Sequence, residues 1–382
     1  MKNSFVGGVL FVLFTLLFAC GDEGDWQLEP GATASTEAPI INGQKCDEET
    51  YPATVAILSH IVVDLGQWGG TQDIKSVSCT GTLIAPDTVL SAAHCVDPSL
   101  MTMGLEVESV DYYISFEADL GAMSEDPRNA EIQASAIRVA SWIGHPDFTI
   151  DAMQNVDGPG TFYDIGLLFL EVPIDTVEPA IVIAESEDSQ MQEGGAIAIV
   201  GWGQQTPQGG GWMQQPPPGT VGIKICADSF INEIGETEMQ VGGSSETSRK
   251  CHGDSGGPSY MMVETSTTRK ERVVGVTSHA YDASDCAKGG VDTRLDSWRA
   301  WVDQEMVKAC SDGTRSWCEV AGVIPPAFYD PASSDELSGG VESGCDCAQT
   351  NSASAWLFLI LLGVFFRASG RSFTCARRGH LR

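Results

Sequence analysis

From residue 40 to about residue 295 the apolar residues come in short, β-branched runs that Gly, Pro and Asp interrupt. Tyr51-Pro52-Ala53-Thr54-Val55-Ala56-Ile57-Leu58 reads as a strand entered through a proline. A second strand, around Ser78 to Leu83, leads into a Pro86-Asp87 turn and a third run at Val89-Leu90-Ser91. Such spacing predicts an all-β domain. Helical spacing is confined to Asp296 through Val307, and no internal repeat is present. A chain of 382 residues has room for one large or two medium domains with a real core. Its twelve cysteines are widely spaced rather than set in paired CxxC groups, which predicts disulfides and an oxidising compartment rather than bound zinc. A net charge of −31 repels phosphates and excludes sequence-independent nucleic-acid binding.

The stretch with the most chemistry is Cys251-His252-Gly253-Asp254-Ser255-Gly256-Gly257-Pro258. A nucleophilic serine needs an exposed hydroxyl, and free N–H groups aimed at the oxygen that becomes negative. Glycines on both sides let backbone approach backbone, and the cysteine can pin the loop. A Gly-rich surface turn has the same composition, so the assignment depends on a base, an orienting acid and a scaffold elsewhere in the chain.

Those partners follow in order. With Ile40-Ile41-Asn42-Gly43, Thr80-Gly81-Thr82-Leu83-Ile84, Ala92-Ala93-His94-Cys95, Asp164-Ile165-Gly166-Leu167-Leu168, Gly201-Trp202-Gly203 and the serine octapeptide, the chain from Ile40 to about Ala309 resembles a chymotrypsin-family (trypsin-like) serine endopeptidase. The resemblance implies two six-stranded antiparallel β-barrels with a C-terminal helix and an active site in the cleft. It implies Ser255 as nucleophile, His94 as general base and then acid, and Asp164 fixing the imidazole tautomer. The N–H groups of Gly253 and Ser255 would form the oxyanion hole. The other histidines, His60, His145, His252, His279 and His380, sit in no such motif and read as surface or subsite residues. Cleavage before Ile40 would free an ammonium to pair with Asp254. Pro39 at that cleavage site departs from the trypsinogen pattern and leaves the activating protease unidentified. The implied disulfides are Cys79–Cys95, Cys251–Cys286 and Cys46–Cys226; proximity adds Cys310–Cys318. The specificity pocket would comprise Arg249, Ser278, Ala280, Gly290 and Asp292. Arg249 at its base disfavours a trypsin-like preference for Arg or Lys: it selects acidic side chains, is neutralised by Asp292, or, with the alignment shifted by one residue, lies outside the pocket. No cofactor or metal is implied; Cys345 and Cys347 lack further ligands nearby.

The flanks suggest export. Lys2 followed by an apolar run from Phe5 to Phe18 reads as a signal peptide, and Leu17-Phe18-Ala19-Cys20 resembles a lipoprotein cleavage site with Cys20 lipidated. The expected organisation is a signal at 1–20, an acidic pro-segment at 21–39, the protease domain at 40–309, a linker at 310–352 and an anchor at 353–382. The last segment, with Gly344-Cys345-Asp346-Cys347 before it, an apolar run Ala355 to Phe366 and Arg367, Arg371, Arg377 and Arg378, resembles myxobacterial C-terminal sorting tags. The whole reads as an exported zymogen, attached at the cell surface or outer membrane or released extracellularly, with polypeptide substrates, an activating protease and a membrane as partners. A catalytically silent protease-fold adhesion module and a serine esterase are the rival readings.

Overall fold

The apolar runs pair as two sets of antiparallel strands. The computed structural model describes residues 40–318 except 67–69, 103–105, 122, 124–130, 151–157, 204–220, 245, 251–252, 266–267, 283–284 and 316. The signal, Cys20, the pro-segment, most of the linker and the C-terminal segment with Cys345 and Cys347 lie outside the described residues, as do Cys251 and His252.

Strands β2 (Thr54–Asp64), β3 (Thr71–Ala85), β4 (Thr88–Ser91), β5 (Glu106–Ser115), β6 (Ile137–Gly144) and β7 (Gly166–Leu170) close in the order β2-β3-β4-β7-β6-β5. Closure leaves no free edge for another chain to pair with. The Pro86-Asp87 turn joins β3 to β4 as a two-residue hairpin, with Ala85 opposite Thr88. The second set is β8 (Ala196–Gly201), β9 (Ile225–Ile234), β10 (Glu238–Val241), β11 (Pro258–Glu264), β12 (Arg269–Asp282) and β13 (Asp285–Arg294). It runs β9-β10-β13-β12-β11-β8, and the β8–β9 pairing closes it. The short β1 (Gln44–Lys45) extends β9. Pro258 opens β11, the position where a strand tolerates a missing N–H. The expected all-β architecture of two six-stranded barrels is therefore present.

Strands β4 and β7 are buried along their whole length instead of alternating. Both their faces are covered, and their ends, Ser91 and Gly166, adjoin His94 and Asp164 in the chain. A 3-10 turn at Ala93–Cys95 and a one-turn helix α1 (Pro98–Met101), capped by the Asp97 carboxylate on Ser99 N–H at 3.0 Å, lead away from β4. The C-terminal helix α2 (Leu295–Ser311) exceeds the 296–307 span of helical spacing. Leu295, Val302 and Met306 give it a buried stripe at helical intervals.

Composition places the start of the linker at residue 310, whereas the packed chain continues to Cys318. Cys310 and Cys318 form a disulfide, and the loop between them returns to the first barrel. There the fully buried Arg315 guanidinium meets the fully buried Asp87 carboxylate, with Nη2 to Oδ1 at 2.5 Å and Nε to Oδ1 at 3.1 Å. Trp317 N–H donates to the other oxygen at 2.8 Å. Disulfides also join Cys46 to Cys226, which ties the β1 segment to β9, and Cys79 to Cys95, which ties β3 to the His94 turn. Of the Cys251–Cys286 pair, Cys251 lies outside the described residues.

Removing one partner from a buried ion pair strands the other charge in the core, at a cost of about 3–5 kcal/mol. Asp87→Asn should lower Tm by roughly 10 °C for a domain of this size. Adding Arg315→Met should restore part of that loss. Calorimetry that finds the single change neutral would show that the pair does not hold the C-terminal loop.

Candidate active site

Asp164 is fully buried immediately before β7, and its carboxylate is surrounded by donors. Oδ1 accepts the His94 backbone N–H at 2.9 Å; Oδ2 accepts His94 Nδ1–H and the Ser278 hydroxyl, both at 2.7 Å. Its own carbonyl accepts the Thr293 hydroxyl at 2.9 Å. Burial alone would raise the Asp164 pKa. The neighbouring His94 and the hydrogen bonds from His94 and Ser278 outweigh burial and hold it below the usual carboxylate range. A depressed pKa stabilises the fold at neutral pH, and that contribution disappears as pH falls through the folded-state value. Because Nδ1 must donate to the carboxylate, the lone pair of His94 sits on Nε2, the nitrogen that can accept a proton.

The serine loop is fixed to the strands that carry the histidine. Ser255 carbonyl accepts Thr80 N–H at 2.8 Å, and Thr80 adjoins Cys79, whose disulfide partner Cys95 follows His94. Gly256 N–H donates to Thr277 carbonyl at 2.8 Å. Gly256 has φ +77°, and a Cβ there would collide with Ser91 Oγ and the Thr80 carbonyl, so the contact between loop and β4 requires glycine. The Ser255 side chain stays partly accessible. Among the described residues neither Gly253 N–H nor Ser255 N–H donates a hydrogen bond, and none joins Ser255 Oγ to His94 Nε2. The hydroxyl–imidazole bond is commonly longer before substrate arrives.

Asp254 is fully buried and accepts Gly203 N–H at 3.0 Å. A Cβ on Gly201 or Gly203 would strike its carboxylate, which explains the Gly-Trp-Gly spacing. Ile40 is also fully buried, with its carbonyl accepting Gly43 N–H at 2.6 Å, while Ile41 carbonyl accepts Arg249 N–H at 3.2 Å.

The expected pocket is arranged differently at its base. Arg249 is buried and its Nη1 donates to Thr247 carbonyl at 3.2 Å. Asp292 is bound instead by Lys250, whose Nζ lies 2.8 and 3.1 Å from its oxygens and 3.0 Å from Ser259 Oγ. Ser259 itself donates to Asp292 at 2.6 Å. Burial pushes the Lys250 pKa down, with Asp292 and Asp254 acting against it. The alternative in which Asp292 neutralises Arg249 is therefore replaced by a Lys250–Asp292 pair. Sequence position misses it because register, rather than spacing, sets Asp292 opposite Thr277. Lys250 Cβ lies 3.3 Å from where a Cβ on Gly290 would stand, and Ser278 is engaged by Asp164. Ala280 faces Gly290 across the β12–β13 pair. Two of the histidines read as surface or subsite residues are structural: His145 stacks on Tyr163 at 5.0 Å, and His279 is largely buried beside Glu238.

Two closed antiparallel barrels, a buried aspartate bonded to an accessible histidine and a glycine-flanked serine loop define a class of hydrolytic enzyme. The trypsin family profile matches residues 40–302, and the chain belongs to that family. It is 29% identical over 236 residues to a vitellin-degrading protease of Bombyx mori, covering 60% of this chain and 76% of that protein. It is 27% identical over 263 residues to a trypsin of Saccharopolyspora erythraea, covering 68% and 94% respectively. A solved structure of neuropsin, a serine protease expressed in the limbic system of mouse brain, aligns with 21% identity and a TM-score of 0.45, covering 69% of this chain and 99% of that one. The protein is a serine endopeptidase.

The Ser278 hydroxyl is the donor that the Asp164 carboxylate does not receive from His94. Ser278→Ala should lower kcat/KM about tenfold, the size of one lost hydrogen bond to a charged group, with little change in KM. Steady-state kinetics on a peptide substrate check this.

Proposed function

We propose that the protein hydrolyses peptide bonds through an acyl-enzyme on Ser255. His94 Nε2 takes the Ser255 proton as the hydroxyl attacks the scissile carbonyl, and returns it to the leaving amine. Asp164 keeps Nδ1 protonated and stabilises the imidazolium. The N–H groups of Gly253 and Ser255, which donate to no described residue, receive the oxyanion. The observation that carries this reading is the His94–Asp164 pair at 2.7 Å beside a serine loop pinned to the same strands. Neither a binding module nor a structural loop needs a buried carboxylate aimed at an accessible imidazole.

Activation fits the burial of Asp254. In the uncut chain the Ile40 nitrogen is a peptide amide; cleavage after Pro39 would make it an ammonium able to pair with that carboxylate. A pro-segment ending in proline points to an activating protease other than a trypsin-like enzyme or the protein itself. For specificity, the Lys250–Asp292 pair gives the pocket base no net charge, and Arg249 is turned toward Thr247. This favours neutral side chains over both basic and acidic ones, since an unpaired charge entering the pocket would lose its hydration without a partner. The disulfides fit an exported protein. Cys20 and the apolar C-terminal segment support attachment at the cell surface; among the described residues no helix is long and apolar enough to cross a membrane.

A fluorophosphonate probe should label the processed protein, and Ser255→Ala should abolish the label. Absence of labelling in processed protein would leave the adhesion-module reading. Hydrolysis of esters without peptides would leave the esterase. A peptide library should show no preference for Arg or Lys before the cut, and strong cleavage after either would refute the pocket assignment.

A further inference from the structure

The segment that delivers Asp164 is held against the second barrel by a buried cluster on β10 and β12. Gly160 N–H donates to Glu238 Oε2 at 2.6 Å, and Thr237 Oγ1 donates to Gly160 carbonyl at 3.0 Å. Gly158 N–H donates to Tyr281 carbonyl at 3.0 Å. Phe162 meets the His279 ring edge-on, with centroids 5.5 Å apart. The next residue, Tyr163, has φ +58°, a left-handed conformation that a bulky side chain adopts only when its surroundings enforce it. Asp164 follows directly.

Glu238 is 1% exposed. Its Oε2 lies 3.4 Å from His279 Nε2, and its Oε1 has no partner among the described residues. His279 Nδ1 lies 2.9 Å from Ala280 carbonyl. Both ring nitrogens therefore face oxygens, and against an ionised Glu238 both of these are acceptors, which the ring satisfies together as an imidazolium with two N–H donors. A neutral ring would set a lone pair against either the carbonyl or the carboxylate. A register shift between Thr277 and His279 turns the side chain off the regular β12 alternation and toward Glu238. Burial pushes the His279 pKa down, but the hydrogen bond and charge of Glu238, the Ala280 carbonyl and the charge of Asp164 outweigh it, so the net shift is above the ordinary 6.5. The other charged groups nearby are engaged elsewhere: Asp164 with His94, Glu233 with the Tyr281 hydroxyl, and Lys288 with Asp282.

We propose that Glu238 and His279 are positioning residues, a buried carboxylate–imidazolium clamp that holds segment 158–164 so that Asp164 meets His94. The proposal rests on the assignment of Asp164 and His94 as catalytic. It makes activity depend on a second histidine, with the opposite sign to His94: the base must be neutral to accept a proton, while the clamp must stay charged. A group whose folded-state pKa is raised contributes its stabilisation below the unfolded value and loses it as pH rises through the folded one. The clamp therefore loosens on the alkaline side.

Two readouts test it. In full-length processed protein carrying Ser255→Ala, ring nitrogen NMR of His279, assigned with His279→Gln, should show the imidazolium persisting above pH 6.5. Glu238→Gln should lower that midpoint by about one pH unit or more, as loss of a nearby opposite charge does. In the Ser255 enzyme, kcat/KM should fall on the alkaline side with the same midpoint. Glu238→Gln should move that limb to lower pH, and His279→Gln should remove it while lowering the plateau roughly tenfold. A merely structural role would scale the rate equally at every pH. A neutral His279 at pH 6, or an alkaline limb unmoved in both variants, overturns the clamp. If the fluorophosphonate probe still labels Ser255 in that event, the protease reading stands alone; if labelling fails, the NMR titration judges the clamp by itself.

Discussion

A carboxylate removed from water keeps its charge only where donors replace the lost hydration, and the architecture around Asp164 is organised to meet that condition. The donors come from both barrels: His94 from the turn after β4, Ser278 from β12, and Thr293 to the adjoining carbonyl from β13. Neither barrel alone could satisfy the group. Once it is satisfied, the imidazole tautomer is no longer free, because Nδ1 has to donate, and the basic nitrogen is left on the other side of the ring. The chemistry thus follows from how a buried charge is solvated by two pieces of chain distant in sequence.

The same logic recurs around Asp254 and Asp292, each fully buried beside the serine loop. Asp254 is approached so closely by the backbone of Gly201 and Gly203 that no side chain fits there, and in the uncut chain it receives the Gly203 N–H. Asp292 has its cation already in place as Lys250. These two arrangements have different consequences. Asp254 lies close enough to Lys250 for its charge to raise the lysine pKa, and on the proposed activation it would take up the Ile40 ammonium. Asp292, paired with Lys250 inside a fully buried set of hydrogen bonds, would give the proposed pocket a neutral floor. In the proposed reading, activation and selectivity thus depend on two acids within reach of one loop.

What the sequence discloses divides along the line between local and long-range constraint. Short apolar runs ended by turn residues depend on neighbours in the chain, so the two barrels, the Pro86-Asp87 hairpin and the C-terminal helix are legible. Glycines fixed by close approach, such as Gly203 and Gly256, are legible as motif letters, while their physical reason appears only with Asp254 and Ser91 in place. Lys250–Asp292, Glu238–His279 and Asp87–Arg315 are not legible. Their partners are separated by tens to hundreds of residues, and strand register, including the shift before His279, decides who meets whom. Arg249 is the instructive case: it and Lys250 are both basic and adjacent, and alternation along the chain turns one toward Asp292 and the other toward Thr247.

The clamp at Glu238 and His279 extends this reasoning from charge to conformation. Tyr163 in the left-handed region costs about 1–2 kcal/mol, which the surroundings must supply if Asp164 is to stay where His94 needs it. Aromatic packing of Tyr163 on His145 and against Trp298 supports one side of the segment, and the Glu238 and Thr237 bonds to Gly160 hold the other. Burial lowers the His145 pKa, so the first support stays neutral above the ordinary histidine value, whereas the second depends on the protonation of His279 beside Glu238. A strained residue held from both sides therefore ties the geometry of the Asp164–His94 pair to the protonation of a histidine outside it.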